Sequence, residues 1–450
     1  MLEMRAHETQ SVKNQSSIIW ETMTETSWKP KKYLSSRLLL VCSVAASVGL
    51  SMALVSIAKL ALFVFGFAIL IWPYVTKAKD INDIRLTLPL NTARAVLAVI
   101  LAFTLSLFWT TAESAESVGS IAKYGKLLTI LLLPMLLRSK QESINVITVF
   151  VLTQLFLVLS SWMLFAGLAV PWATSIMATK EYAVFSTYLD QGIMSAVTAA
   201  VCWYLRKLAP GRFGERIAIA GAFLCITNVL FVLSGRSGHV VSIVLLSLAL
   251  TWQLKPRYRW TLLILPILLL GTLSLISPKV QKRINMVKSD VQGFSIREGA
   301  DAMTGNSSAV RLHFWHRAVQ SISESPLLGS GVGSWSNEYN RLETQQNPTS
   351  SRIGERGNPH QEYLLWGVQL GIPGILLFLT FLAAVFKDTL RQDQAPERAA
   401  QSVLAALAVA CLFNSSIYDA LIGDFFCVAL GLTLALVLHK SKSASEAKEI

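Results

Sequence analysis

Uninterrupted apolar runs of about 20 residues recur along this chain, each long enough to cross about 30 Å of hydrocarbon. Inside a bilayer every backbone N–H and C=O must be satisfied within the protein, which leaves helices or a closed barrel. A barrel reads as short alternating segments, whereas these runs are continuous. The expected fold is therefore an all-α polytopic membrane protein. With 15% charged and 53% hydrophobic residues, the composition excludes an ordinary soluble domain, which carries about 25% charged residues.

Twelve candidate spans fall at roughly 38–56, 58–75, 94–112, 121–137, 146–169, 190–206, 215–233, 238–253, 259–276, 362–386, 402–418 and 421–438. The polar start carries Lys29, Lys31, Lys32 and Arg37 close to the first span, the pattern of a cytoplasmic tail and signal anchor rather than a cleaved secretory signal. Residues 1–22 read as disordered, with Met23 as an alternative start. With the N-terminus inside, the short cytoplasmic connections hold nineteen Lys and Arg, and the outer ones five: Lys59, Lys123, Lys126, Lys180 and Arg236. This is a strong positive-inside bias. The weakest span, 121–137, contains Lys123, Gly125 and Lys126. Deleting it would invert every later loop and destroy the bias. The expected organisation is a cytoplasmic tail (1–36), nine spans (37–276), a mainly helical outer loop domain (277–361), three spans (362–438) and a cytoplasmic tail (439–450). Within the loop domain, 311–323 reads as helix and 329–336 as loop.

The net charge of +13 flanks the apolar runs, so it points to membrane lipids rather than nucleic acid. The five cysteines all fall inside apolar runs, giving neither a disulfide framework nor zinc spacing. Internal repeats of the kind found in transporters are not evident.

Three polar constellations share the outer side. The first is Leu233-Ser-Gly-Arg-Ser-Gly-His239. Its glycines allow close backbone approach and its helix start offers N–H groups to an anion. Arg236 adds a bidentate donor suited to phosphate. The same pattern also fits a hairpin turn whose arginine snorkels to lipid headgroups. The second runs Arg311-Leu-His-Phe-Trp315 and then Pro326-Leu-Leu-Gly-Ser-Gly-Val-Gly-Ser-Trp335, which equally fits an interfacial helix with a Trp anchor. The glycine run lacks the Lys-Ser/Thr ending of a nucleotide loop. The third is Asn358-Pro-His-Gln-Glu-Tyr-Leu-Leu-Trp366, followed by Gln369-Leu-Gly-Ile-Pro-Gly374. Pro359 puts His360 near a helix start, where the dipole favours neutral imidazole, the form a general base needs.

Two arginines and a histidine on one side suit transfer from a pyrophosphate donor. The arginines would hold the leaving-group charge that grows in the transition state, with no metal and no cofactor. Asp419, at the outer end of the eleventh span, is a possible fourth member or a loop aspartate in water.

These residues resemble the O-antigen ligase and O-antigen polymerase superfamily. The resemblance is carried, in order, by Ser234-Gly-Arg-Ser-Gly, Arg311-x-x-x-Trp315 with the glycine run, and His360-x-Glu-Tyr-Leu364 with Leu370-Gly-Ile-Pro-Gly374. It implies a bacterial inner-membrane glycosyltransferase of the GT-C type with a periplasmic active site. The implied donor is an undecaprenyl-pyrophosphate-linked glycan, and for the ligase branch the acceptor is a sugar hydroxyl of the lipid A–core. His360 would then be the base, with Arg236 and Arg311 on the pyrophosphate. Arg352, Arg356, Tyr363 and Asp419 complete the expected substrate-binding set, although Arg352 and Arg356 fit a solvated basic loop as well. Polymerases and protein O-oligosaccharyltransferases share these motifs. A lipid-linked sugar transporter is the rival outside enzymes, and it should place ionisable groups inside the spans. The spans read as nearly free of them.

Overall fold

The computed structural model describes residues 36–75, 88–173, 175–276, 307–349, 357–390 and 394–446, with isolated helical positions at 281, 285, 288 and 289. Among them every regular element is helical. The chain opens with α1 (Ser36–Ser47), α2 (Met52–Val75) and α3 (Leu90–Leu105). Next come α4 (Ser114–Gly125), α5 (Thr129–Leu136), α6 (Lys140–Phe165) and the short α7 (Ile176–Glu181). Then follow α8 (Tyr188–Leu205), α9 (Gly211–Thr227), α10 (Arg236–Thr251) and α11 (Leu265–Ile276). α12 (Ser307–Glu324) and α13 (Trp335–Gln346) precede the last three, α14 (Glu362–Thr389), α15 (Gln394–Ala410) and α16 (Ala420–Glu446).

Seven segments among the described residues are long and apolar enough to cross a membrane: Met52–Ile71, Leu90–Phe108, Ser114–Leu136, Lys140–Phe165, Gly211–Val232, Glu362–Thr389 and Ala420–His439. Three apolar helices, α1, α10 and α11, are shorter. The expected run at 190–206 coincides with α8, while that at 402–418 is displaced, since α15 ends at Ala410 and residues 411–418 form turns; neither helix is among the seven. Phe108, Leu275 and Ile267 are 87%, 86% and 70% exposed, and apolar faces of that kind are at home against lipid rather than water.

The segment that reads weakest in sequence is one rod. A 3-10 turn at Lys126–Leu128 joins α4 to α5. Lys126 is buried, its ammonium donating to the Asp419 carbonyl at 2.7 Å. That contact places a cation inside an apolar segment and fixes it to the start of α16. α16 is the hub of the bundle: its spanning stretch is wholly buried and packs on α5, α6 and α15. Among the described residues the spans also hold an ionisable pair that hydropathy alone conceals. Lys59 on α2 meets Asp424 on α16 at 2.8 Å, so the spans are less free of charge than their composition suggests. Pairing offsets much of the cost of burial.

α12 and α13 form a helical pair beside the bundle. His313 and Arg317, one turn apart on α12, both donate to Glu343 Oε2 on α13, at 2.9 Å and 2.8 Å. Burial pushes the Glu343 carboxyl up, but these hydrogen bonds and charges outweigh it and hold it at about 2. α13 starts at Trp335, inside the stretch that reads as loop, because Trp335 and Tyr339 pack together and against Phe314.

The glycine run is a joint between this pair and the bundle. α14 is broken at Gly371 (φ +70°), two residues before Pro373. The break exposes carbonyls that would otherwise bond within the helix. Val368 O and Gln369 O accept from the N–H groups of Ser330 (2.8 Å) and Gly331 (2.9 Å), and Pro326 O accepts from Ile372 N–H (2.8 Å). The loop after α3 closes the other side, Thr110 Oγ1 donating to Val332 O at 2.7 Å. Gly331 has φ +85°, and a Cβ there would lie 2.3 Å from Thr110 Cα. Gly331→Ala is therefore expected to destabilise the fold by about 2–5 kcal/mol, from left-handed strain plus overpacking. Gly125→Ala, where a Cβ meets nothing within 4 Å, serves as the control. Equal thermal unfolding of the two variants in detergent would contradict this account of the joint.

Candidate functional site

The small residues around Arg236 set its position. Ser234 Oγ donates to Glu181 of α7. A Cβ on Gly235 would lie 2.8 Å from Tyr188 O, and one on Gly238 would lie 2.9 Å from Gly192 Cα. Only glycine lets α10 approach α8 this closely, and the approach seats Arg236 at the first position of α10. Gly235 caps that helix without any side-chain hydrogen bond, which leaves early N–H groups for an anion. Arg236 Nη1 donates to Ser308 Oγ on α12.

Ser308 lies three residues before Arg311, so two arginines from distant sequence meet at the start of α12. Arg311 Nη1 donates to Phe413 O at 3.0 Å. Burial, and then the neighbouring Arg236 charge, push the Arg311 guanidinium below its ordinary value. Two partly buried like charges so placed favour a bound anion. One turn along α12, Trp315 Nε1 donates to Pro359 O at 3.0 Å. The second sequence constellation thus holds the backbone of the third, rather than serving as an interfacial anchor.

His360 adopts a left-handed backbone (φ +52°), unusual for a residue with a Cβ and a mark of functional segments. Asn358 makes it possible: its Oδ1 accepts from His360 N–H at 2.8 Å, and its Nδ2 donates to Asp419 Oδ1 at 2.9 Å. The His360 ring stacks over Phe314, with centroids 6.4 Å apart. Its Nδ1 lies 3.3 Å from Asn414 Oδ1. The expected helix start holds, since Gln361 caps α14 through Leu364 N–H at 2.6 Å.

Asp419 belongs to this cluster rather than to a solvated loop. Burial raises its carboxyl above the usual aspartate value, against the opposing influence first of His360 and then of Lys126 and Asn358. Tyr363 does not face the cluster. Its hydroxyl donates to Ala408 O at 3.0 Å and its ring packs edge-on against Phe378, because on a helix it points away from the side that His360 occupies. Arg352 and Arg356 lie outside the described residues. Among the described residues no three His, Cys, Asp or Glu side chains gather into a metal-binding group.

Sequence reasoning did not assign Glu362, which is completely buried. Oε1 accepts from Trp366 Nε1 at 2.8 Å, and Oε2 accepts from the N–H groups of Ile417 (2.9 Å) and Tyr418 (3.2 Å). It fastens the His360 helix to the loop that carries Asn414 and Asp419. Its only local signal is its place two residues after His360.

The fold and this end-on cluster define an all-helical, multi-pass membrane protein whose polar chemistry gathers where several helix ends meet. Residues 220–379 match a family model described as O-antigen ligase. That match, over roughly the middle third of the chain, supports membership of the O-antigen ligase superfamily, a glycosyltransferase-like class of membrane enzyme. The matched stretch contains Arg236, Arg311 and His360, while Asn414 and Asp419 fall beyond it. Comparison with curated proteins returned no match.

Proposed function

We propose that the protein is an O-antigen ligase. In this reading it transfers a glycan from undecaprenyl pyrophosphate to a sugar hydroxyl of the lipid A–core. The site lies on the periplasmic face of the inner membrane, with twelve spans and both termini in the cytoplasm. The observation that carries the reading is the meeting of Arg236 and Arg311 at α12, with His360 held over the same helix by Phe314 and Trp315.

With Nδ1–H of His360 donating to Asn414 Oδ1, the Nε2 lone pair takes the acceptor hydroxyl proton. The freed oxygen attacks the anomeric carbon, and the bond from that carbon to the pyrophosphate oxygen breaks. Arg236 and Arg311 stabilise the charge arriving on the departing pyrophosphate. Asp419 stabilises the imidazolium as it forms. The pairing of Lys59 with Asp424 makes that intramembrane charge structural, which supports surface chemistry over transport.

The test is reconstitution with a lipid-linked glycan and either lipid A–core or a second lipid-linked glycan as acceptor. Transfer to lipid A–core is expected. Growth on the lipid carrier alone would instead place the protein among the polymerases. Arg236→Lys keeps the charge but loses the two-pronged donor, and about 10–100-fold lower kcat/KM is expected, equivalent to about 1.4–2.7 kcal/mol of transition-state stabilisation. Near-normal turnover would reduce Arg236 to a lipid-headgroup anchor.

A further inference from the structure

Beside the His360 segment lies a cavity of about 430 Å³, lined by neither arginine. α4 contributes Glu116, Ser120 and Lys123, and the facing wall is Asn358, Tyr418 and Asp419. Its floor is buried, Ser120 and Tyr418 being 1% and 7% exposed, while Lys123 stands at an exposed rim. The floor is also organised. Ser120 Oγ and the Tyr418 hydroxyl are hydrogen-bonded at 3.0 Å, and the Lys123 ammonium lies 3.8 Å from the centre of the Tyr418 ring. Glu116 Oε1 accepts from Ser336 Oγ at 2.8 Å. One side chain, Asn358, bonds both Asp419 in the cavity wall and the backbone of His360.

We infer that this cavity receives the acceptor saccharide and presents its hydroxyl to His360. The inference rests on the glycosyl-transfer reading given above. Two carboxylates, an amide and a hydroxyl around one aromatic ring suit a neutral, hydroxyl-rich ligand. Carboxylate and amide oxygens accept from vicinal hydroxyls, and the amide N–H and ammonium groups donate to sugar oxygens. The charge pattern disfavours the pyrophosphate here, since Glu116 and Asp419 oppose a single ammonium from Lys123. The volume falls within the range of about 300–1,000 Å³ typical of small-ligand sites. The cavity thus holds the acceptor sugar apart from the two arginines, with Asn358 linking its wall to His360.

Gly119 lines the cavity, and a Cβ there would meet nothing within 4 Å. Gly119→Phe can therefore fill the space with little disturbance of the helix packing. In full-length protein reconstituted with lipid-linked glycan donor and lipid A–core acceptor, it is expected to raise the acceptor KM at least about tenfold, with the donor KM within about twofold of wild type. Gly125→Phe adds the same bulk to α4 outside the cavity and is expected to leave both KM values unchanged. Lys123→Ala, at an exposed position that should not affect folding, is expected to raise the acceptor KM about threefold, a rim-contact effect. An unchanged acceptor KM in both Gly119→Phe and Lys123→Ala, or a rise confined to the donor KM, would overturn the assignment while leaving the transfer reaction in place. Failure of the wild-type protein to transfer glycan to any saccharide acceptor would remove both readings together.

Discussion

Replacing His360 with alanine is expected to lower glycan transfer about 10²–10⁴-fold, the usual contribution of a positioned general base. The fold should survive. The side chain is only partly buried, and its contacts include one long hydrogen bond to Asn414 and the face of Phe314. Losing them costs about 1 kcal/mol. The left-handed backbone at this position separates chemistry from conformation. Alanine must adopt φ +52° at a cost of about 1–2 kcal/mol, whereas asparagine visits that region readily. His360→Asn should therefore be as inactive as His360→Ala but closer to wild type in thermal stability. Initial rates with saturating donor and acceptor, read beside melting in detergent, decide the matter. Full-length lipopolysaccharide made by either variant in a strain lacking its own ligase would dismiss His360 as the base.

The apolar runs announced the helices, because a continuous run of sufficient length has few alternatives in a bilayer. Arg236 and His360 stood out as polar residues boxed by glycine or placed beside proline at the edge of an apolar run, and Arg311 through its helical spacing to Trp315. What stayed hidden is the partner of each motif. The glycine run after Pro326 and the Gly371–Pro373 break stand in two separate motifs of the sequence, yet they are two halves of one joint, closed by bonds between Ser330 and Val368 and between Gly331 and Gln369. No local pattern in either half specifies the other. Lys126 read as a flaw in a weak span because its acceptor, Asp419 O, lies 293 residues away. Asn358 and Glu362 were in plain view within the His360 motif, but their work is done on residues 411–419, which periodicity cannot connect to it. Tyr363 misled through proximity: neighbours on a helix face different directions, and its hydroxyl turns to Ala408.

Glu362→Ala should be the most damaging substitution near the site, and for a different reason from His360. The carboxylate is fully buried and accepts from Trp366 Nε1 and from the N–H groups of Ile417 and Tyr418. Alanine leaves three buried donors unsatisfied, an expected loss of about 3–5 kcal/mol at about 1–3 kcal/mol for each unsatisfied group with partial relaxation. Those donors anchor the loop that presents Asn414 and Asp419 to His360, so their release also misplaces the catalytic group. A shift of about 1 Å there can cost about 10²-fold in rate. Glutamine separates the two effects. Its single carbonyl oxygen can serve Trp366 or the 417–418 backbone but not both, and its amide N–H group then faces a donor. Glu362→Gln should therefore fall between wild type and alanine in both melting temperature and kcat, with the donor KM little changed. His360→Ala, by contrast, should lower kcat with a smaller fall in melting temperature than Glu362→Ala. If Glu362→Ala melts like wild type yet loses activity, the carboxylate acts on the substrate directly and the positioning role assigned to it is wrong.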